Sequence, residues 1–174
     1  MCFIYADKKN NNARKDPIKK LINRKSGKGA ECLWRYKSIS IGKGTVVAIY
    51  GNNIPKLIFS IAAIQSLGGI VVPIHPESTS AELKKILSGS KTEILIAEDQ
   101  QQVDTYLDIE SECEVKNVIY LDGRGMINYN NPKLHSYDEL TSGVSSTNIE
   151  NEISALNDTD SAFYLFDEHE DCLY

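Results

Sequence analysis

Apolar residues in this chain come in short dense runs separated by stretches with helical spacing, the alternation expected of strands and helices taken in turn. Thr45-Val-Val-Ala-Ile-Tyr50 is rich in β-branched residues and has glycine on both sides. It suits a strand buried on both faces. Ile70-Val-Val-Pro-Ile74, Glu93-Ile-Leu-Ile-Ala97, Val118-Ile-Tyr-Leu121 and Ala162-Phe-Tyr-Leu-Phe166 have the same character and predict further strands. Between the first two runs, Gly51-Asn52-Asn53 supplies a tight turn, with Asn53 at the N-cap and Pro55 just inside a helix. That helix runs to Leu67 and is apolar on nearly every side (Leu57, Ile58, Phe59, Ile61, Ala62, Ala63, Ile64), so it must be covered on more than one side. Gly68-Gly69 ends it.

Three more helices follow from caps and spacing. Ser78 or Thr79 caps the first, with Glu82 near N3 as in a capping box, Leu83, Ile86 and Leu87 as its buried stripe, and Lys84-Lys85 facing water. Glu98-Asp99 start the second, whose apolar positions are Val103, Tyr106, Leu107 and Ile109. Ser136 caps a short third around Tyr137 to Leu140. Upstream, Asp16-Pro17 starts a helix with Ile18, Leu21 and Ile22 on its apolar side. Ala30 to Tyr36, carrying Leu33 and Trp34, predicts a helix packed on the sheet. Strand–helix–strand units favour parallel strands and right-handed crossovers, so the expected fold is α/β, a mostly parallel sheet with flanking helices. Thr141 to Asn157 is a polar Ser/Thr/Asn stretch with the composition of a surface loop.

Charge divides the chain. Residues 1–43 carry 12 Lys and Arg against 3 Asp and Glu, while the remaining 131 carry 7 against 21. This gives a basic, flexible arm over residues 1–29, an α/β domain over 30–166 and an acidic tail over 167–174. The arm could touch anionic lipid as a peripheral membrane contact; as a solvated leader it gives no specific nucleic-acid signal. Residues 54–74 are the most apolar, but Pro55, Lys56, Gln65, Gly68 and Gly69 break them well short of a membrane span. The four cysteines (Cys2, Cys32, Cys113, Cys172) are scattered without metal spacing, which points to reduced thiols and a cytoplasmic chain.

Candidate chemistry is thin. Ser26-Gly-Lys-Gly29 and Gly42-Lys-Gly-Thr45 resemble phosphate loops only in composition: each lacks the upstream glycine and neither follows a strand. Both read as turns. His75 ends a strand, where α/β sites gather, yet no partner base or nucleophile can be named, so it reads as a loop residue beside Pro76. His135 precedes a helix cap and carries no signal. Glu98-Asp99 read as acids favoured at a helix N-terminus. Asp167-Glu-His-Glu-Asp171 offers oxygen ligands for a divalent cation but reads better as a solvated acidic tail.

The ordered series Gly44 to Asn53, Ser66-Leu-Gly-Gly69, Ile70 to Thr79, Ile94 to Gln100, Val118 to Asp122 and His135 to Leu140 resembles the N-terminal part of the adenylate-forming (AMP-binding) enzymes. Within them it looks most like the long-chain fatty acid–CoA ligases, and the bubblegum-type branch in particular. The resemblance spans Ser38 to Phe166 and implies the first, incomplete part of their large N-terminal domain. Those enzymes join a fatty acid to CoA through an acyl-adenylate, using ATP and magnesium. Their phosphate loop, rich in Ser, Thr and Gly and ending in Pro-Lys-Gly, follows the strand that corresponds here to Ala162–Phe166. This sequence instead has four carboxylates and no Gly, Ser, Thr or Lys at 167–171. Thr141-Ser-Gly143 spells that loop's opening but follows a helix, not a strand. The resemblance therefore implies a truncated relative that is inactive alone, with no catalytic, cofactor-binding or metal residue assigned. The alternatives are a non-catalytic interaction module, whose partner protein covers exposed apolar surface, and a reading frame that continues past Tyr174 into a complete ligase.

Overall fold

The computed structural model describes Tyr36, residues 39–141 (Thr141 by its backbone) and residues 160–166. In chain order these hold β1 (Val46–Tyr50), α1 (Pro55–Ser66), β2 (Ile70–Ile74), α2 (Ser80–Ser90), β3 (Ile94–Ala97), α3 (Gln100–Leu107), β4 (Asn117–Tyr120), β5 (Leu134–Ser136) and α4 (Tyr137–Thr141). The strands form one sheet in the order β2-β1-β3-β4-β5, and every neighbouring pair is parallel. The α/β architecture read from the sequence is the one observed.

Because successive strand residues face opposite ways, each strand feeds two cores. Val47, Ile49, Val71, Ile94, Ile96 and Ile119 pack with α1, Tyr36 and Tyr137 on one face. Val46, Ala48, Tyr50, Val72, Leu95 and Val118 pack with Leu83 and Leu87 of α2 and Tyr106 of α3 on the other. This two-sided burial is why the strands read as unbroken apolar runs. α1 is buried along Ala62–Ser66, but Ile58 remains 37% exposed, so the helix is not covered on every side. Tyr36 is helical and fully buried, and its hydroxyl donates to Ser60 Oγ at 2.6 Å. The rest of the Ala30–Tyr36 helix and the Asp16–Ile22 helix lie outside the described residues.

Several local readings change. The N-cap of α1 is Ile54, in extended conformation and without a side-chain cap, rather than Asn53. Thr79 caps α2 with Glu82 in a full capping box, as expected. α3 begins at Gln100: Asp99 is its N-cap, boxed with Gln102, and Glu98 lies outside the helix. β5 was not legible as a strand, since its three residues are all half-buried at the sheet's edge. In the Ala162–Phe166 run Phe163 bridges Val71 in parallel, through Val71 N–H to Ala162 O and Tyr164 N–H to Val71 O, each at 3.0 Å, and Leu165 also lies in a β-bridge. The next rung of a parallel ladder would need an N–H from residue 73, and Pro73 has none. No helix among the described residues is long and apolar enough to cross a membrane.

Two side chains give direct tests. The Tyr106 hydroxyl is buried without a hydrogen-bond partner, and burial pushes its pKa up. Tyr106→Phe removes an unsatisfied polar atom while keeping the ring, so stability to urea is expected to hold or rise by up to about 1 kcal/mol. The Glu82 carboxylate accepts from Thr79 N at 2.7 Å and Thr79 Oγ1 at 3.1 Å, and these bonds hold its pKa below the ordinary value. A depressed folded-state pKa gives stability that is full above the unfolded value of about 4.3 and is lost as pH falls through the folded one. Glu82→Gln is expected to flatten the acid side of the stability–pH curve and leave the slope near neutrality unchanged, as read by urea denaturation across pH.

Candidate functional site

In open parallel sheets the crevice for ligands lies at the carboxyl ends of two neighbouring strands whose connections leave on opposite faces. Here those strands are β1, which leads into α1 on one face, and β3, which leads into α3 on the other. The crevice is walled by Gly51 and Asn52 after β1 and by Glu98 and Asp99 after β3. Glu98 N–H extends the ladder by donating to Tyr50 O at 3.0 Å. Its carboxylate then crosses to the β1–α1 turn, where it accepts from Asn52 N–H and, at 3.0 Å, from Asn52 Nδ2. The turn amide that would greet an incoming anion is thus taken by the protein's own carboxylate.

Gly51 makes this crossing sterically possible. A Cβ placed there would lie 2.5 Å from Glu98 Cβ and 2.9 Å from Glu98 Oε2. On the α1 side, Lys56 Nζ donates to Leu121 O at 2.8 Å and pairs with Asp138 at 2.8 Å. It also sits 5.3 Å from the centre of the Tyr137 ring, so its charge ties α1 to both the end of β4 and α4. On the α3 side an open trough of about 580 Å³ is lined by Asp99, Gln100, Asp104, Asp108, Asp122 and Arg124 among others. Three of its acids already serve the fold. Asp99 caps α3, Asp104 accepts from Tyr129 Oη, and Arg124, bonded to Asp122 at 2.7 Å, holds that carboxyl below its ordinary range. No group of three or more His, Cys, Asp or Glu among the described residues is arranged to hold a metal ion.

The positions singled out from sequence do not converge. His75 is exposed, and its Nδ1 accepts Glu77 N–H at 3.3 Å within its own turn. His135 sits on β5 with Nε2 3.0 Å from Asn117 Oδ1, an edge-strand link. Gly42–Thr45 is a turn closed by Thr45 N–H to Gly42 O at 3.1 Å, with Lys43 paired to Asp160 at 3.0 Å; it precedes β1, at the opposite end from the crevice. Of Glu98-Asp99, only Asp99 acts at a helix N-terminus. Thr141 ends α4, while Ser142-Gly143, Ser26–Gly29 and Asp167–Asp171 lie outside the described residues. The role of Glu98 was missed, and no local signal reveals it, because its partner is 46 positions away.

Gly51→Ala is expected to destabilise the chain by about 1–3 kcal/mol through overpacking against Glu98. Combining it with Glu98→Gly should return part of that loss in urea denaturation. Simple additivity of the two costs would show that the close approach is not what requires glycine.

Residues 34–166 match the AMP-binding enzyme family. No curated protein sequence matches the chain. Among solved structures, it is similar to a long-chain-fatty-acid-CoA ligase from Archaeoglobus fulgidus, with 20% identity and a TM-score of 0.67 over 82% of this chain and 26% of that one. It is also similar to an acetoacetyl-CoA synthetase from Streptomyces lividans, with 16% identity and a TM-score of 0.60 over 68% of this chain and 20% of that one. A coronafacic acid ligase from Pectobacterium brasiliense gives 23% identity and a TM-score of 0.58 over 69% of this chain and 24% of that one. At these identities the likeness is one of fold, and the chain spans between a fifth and about a quarter of the length of these structures. The family match covers most of the chain, which therefore belongs to the AMP-binding enzymes.

Proposed function

We propose that this chain supplies the opening scaffold of an enzyme domain that activates a carboxylic acid with ATP, a long-chain fatty acid being the substrate class, and that the 174 residues do not adenylate on their own. ATP, magnesium and CoA are the cofactors of the complete reaction under this reading, and no residue of this chain is assigned to any of them. A cytoplasmic location belongs to the same reading.

The observation that carries it is the residue content after the Ala162–Phe166 run. Gripping a triphosphate takes backbone amides free to wrap it and a cation to neutralise it. Asp167-Glu-His-Glu-Asp171 brings no glycine or lysine, and its carboxylates repel phosphate. The crevice between β1 and β3 supports the same view, because Glu98 already holds the Asn52 amide.

The test is ATP–pyrophosphate exchange with the purified 174-residue chain, magnesium and a series of long-chain fatty acids. No exchange above background is expected. Exchange that depends on the fatty acid would overturn the scaffold reading.

A further inference from the structure

We propose that the Asp122-Gly123 step is a site of aspartate isomerisation and that Arg124 sets its rate. The proposal is independent of the adenylation reading. This is the one Asp-Gly or Asn-Gly step in the 174 residues. With no Cβ on the following residue, its amide nitrogen can approach the aspartate side chain. The Gly123 nitrogen attacks Asp122 Cγ, and the N–C bond forms as a carboxyl oxygen leaves, taking its own proton and the amide's away as water. Water then reopens the succinimide. Addition at the Cγ carbonyl restores aspartate. Addition at the main-chain carbonyl leaves isoaspartate, with the backbone running through Cβ and the α-carboxylate as the side chain. One water leaves and one enters, so no other reactant is needed.

The fold leaves this step accessible. It follows β4 in the connection to β5, where Gly123 is exposed and the Asp122 side chain is 31% exposed. Glycine answers no demand of the backbone here. The φ of Gly123 lies outside the left-handed region, and a Cβ would meet only Tyr120 Cε2, at 3.7 Å. Gly51 and Gly125 differ, because a Cβ on either would collide with Glu98 or Gln100.

Arg124 closes the route. Asp122 Oδ1 accepts the Arg124 backbone N–H at 3.0 Å, and Oδ2 accepts its Nε–H at 2.7 Å. Both oxygens are engaged, one of them by a cation, so neither is free to take up a proton and leave as water. The same grip favours the ionised carboxyl, which loses water far less readily than the acid. Arg124 is 90% exposed, so the pair adds little to stability. What it controls is the orientation and charge of one carboxyl. Isomerisation would add a carbon to the backbone just past the Asp122 N–H to Glu98 O bond, 2.8 Å long, and take the carboxylate from its place beside Arg124 in the trough.

The test is incubation of the folded full chain in warm, mildly acid buffer, with isoaspartate at residue 122 read by peptide mapping and by enzymatic methylation. Slow formation is expected in the unaltered chain and several-fold faster formation in Arg124→Ala. Adding Gly123→Ala to that variant should bring the rate back to the unaltered level or below. Thr79→Ala, which breaks the α2 capping box, is the control for lost stability and should stay slow. Equal rates in Arg124→Ala and the unaltered chain would overturn the role of Arg124. So would a Thr79→Ala rate as high as that of Arg124→Ala. Isoaspartate at residue 122 in the urea-unfolded chain but in none of the folded variants would overturn the site.

Discussion

The parallel ladder through β1 is the constraint on which the rest of the structure depends. β1 lies between β2 and β3, and none of its five residues is more than 8% exposed. Its backbone donors and acceptors must be satisfied on both sides, because water cannot reach them. Its side chains alternate between the two cores, so the α1 layer and the α2–α3 layer are both referenced to the same five residues. A one-residue slip would exchange the two sets and strand Tyr50, whose hydroxyl donates to Ser78 O at 2.6 Å, on the wrong face. The crevice inherits its geometry from this ladder: Glu98 N–H to Tyr50 O is its last rung, and it aims the Glu98 side chain at Asn52.

What was readable in the sequence follows from that arrangement. Strands buried on both faces leave unbroken apolar runs, so β1, β2 and β3 stand out and β4 nearly so. β5 gets its place from pairing with β4 and buries too little for its composition to betray it. Caps separate in the same way. Thr79 and Glu82 are three residues apart and satisfy each other locally, so the pattern suffices. At α1 the local rule fails: Asn53, the residue the turn pattern offers, does not cap, and the cap falls to Ile54 without a side-chain bond. Gly51 shows the same limit: turn chemistry explains a glycine there, but its close approach to Glu98 appears only once the strands are side by side.

The crevice itself is stitched shut from within. Glu98 occupies the turn amide on one side, and on the other Lys56 spends its charge on Leu121 O and Asp138. Lys56 and Asp138 are both well exposed, so their ion pair contributes under about 1 kcal/mol and weakens with salt. Its importance is geometric, since it fixes α4 against α1. These are the interactions of a wall, with polar groups turned toward one another rather than toward a ligand.

Pro73 sets the remaining asymmetry. A proline in β2 is tolerated because its missing N–H faces the outer side of the sheet, away from β1. The consequence is that the Ala162–Phe166 segment meets β2 at one bridge, Val71 with Phe163, and its side chains add to that hold. Phe166 lies over α2, where a Cβ on Gly89 would come within 3.1 Å of its ring, and Phe163 reaches the α1 core. The segment is therefore anchored by aromatic side chains on opposite faces, Phe163 on one and Tyr164 and Phe166 on the other. Apolar side chains thus fix its position where the ladder to β2 stops at Pro73.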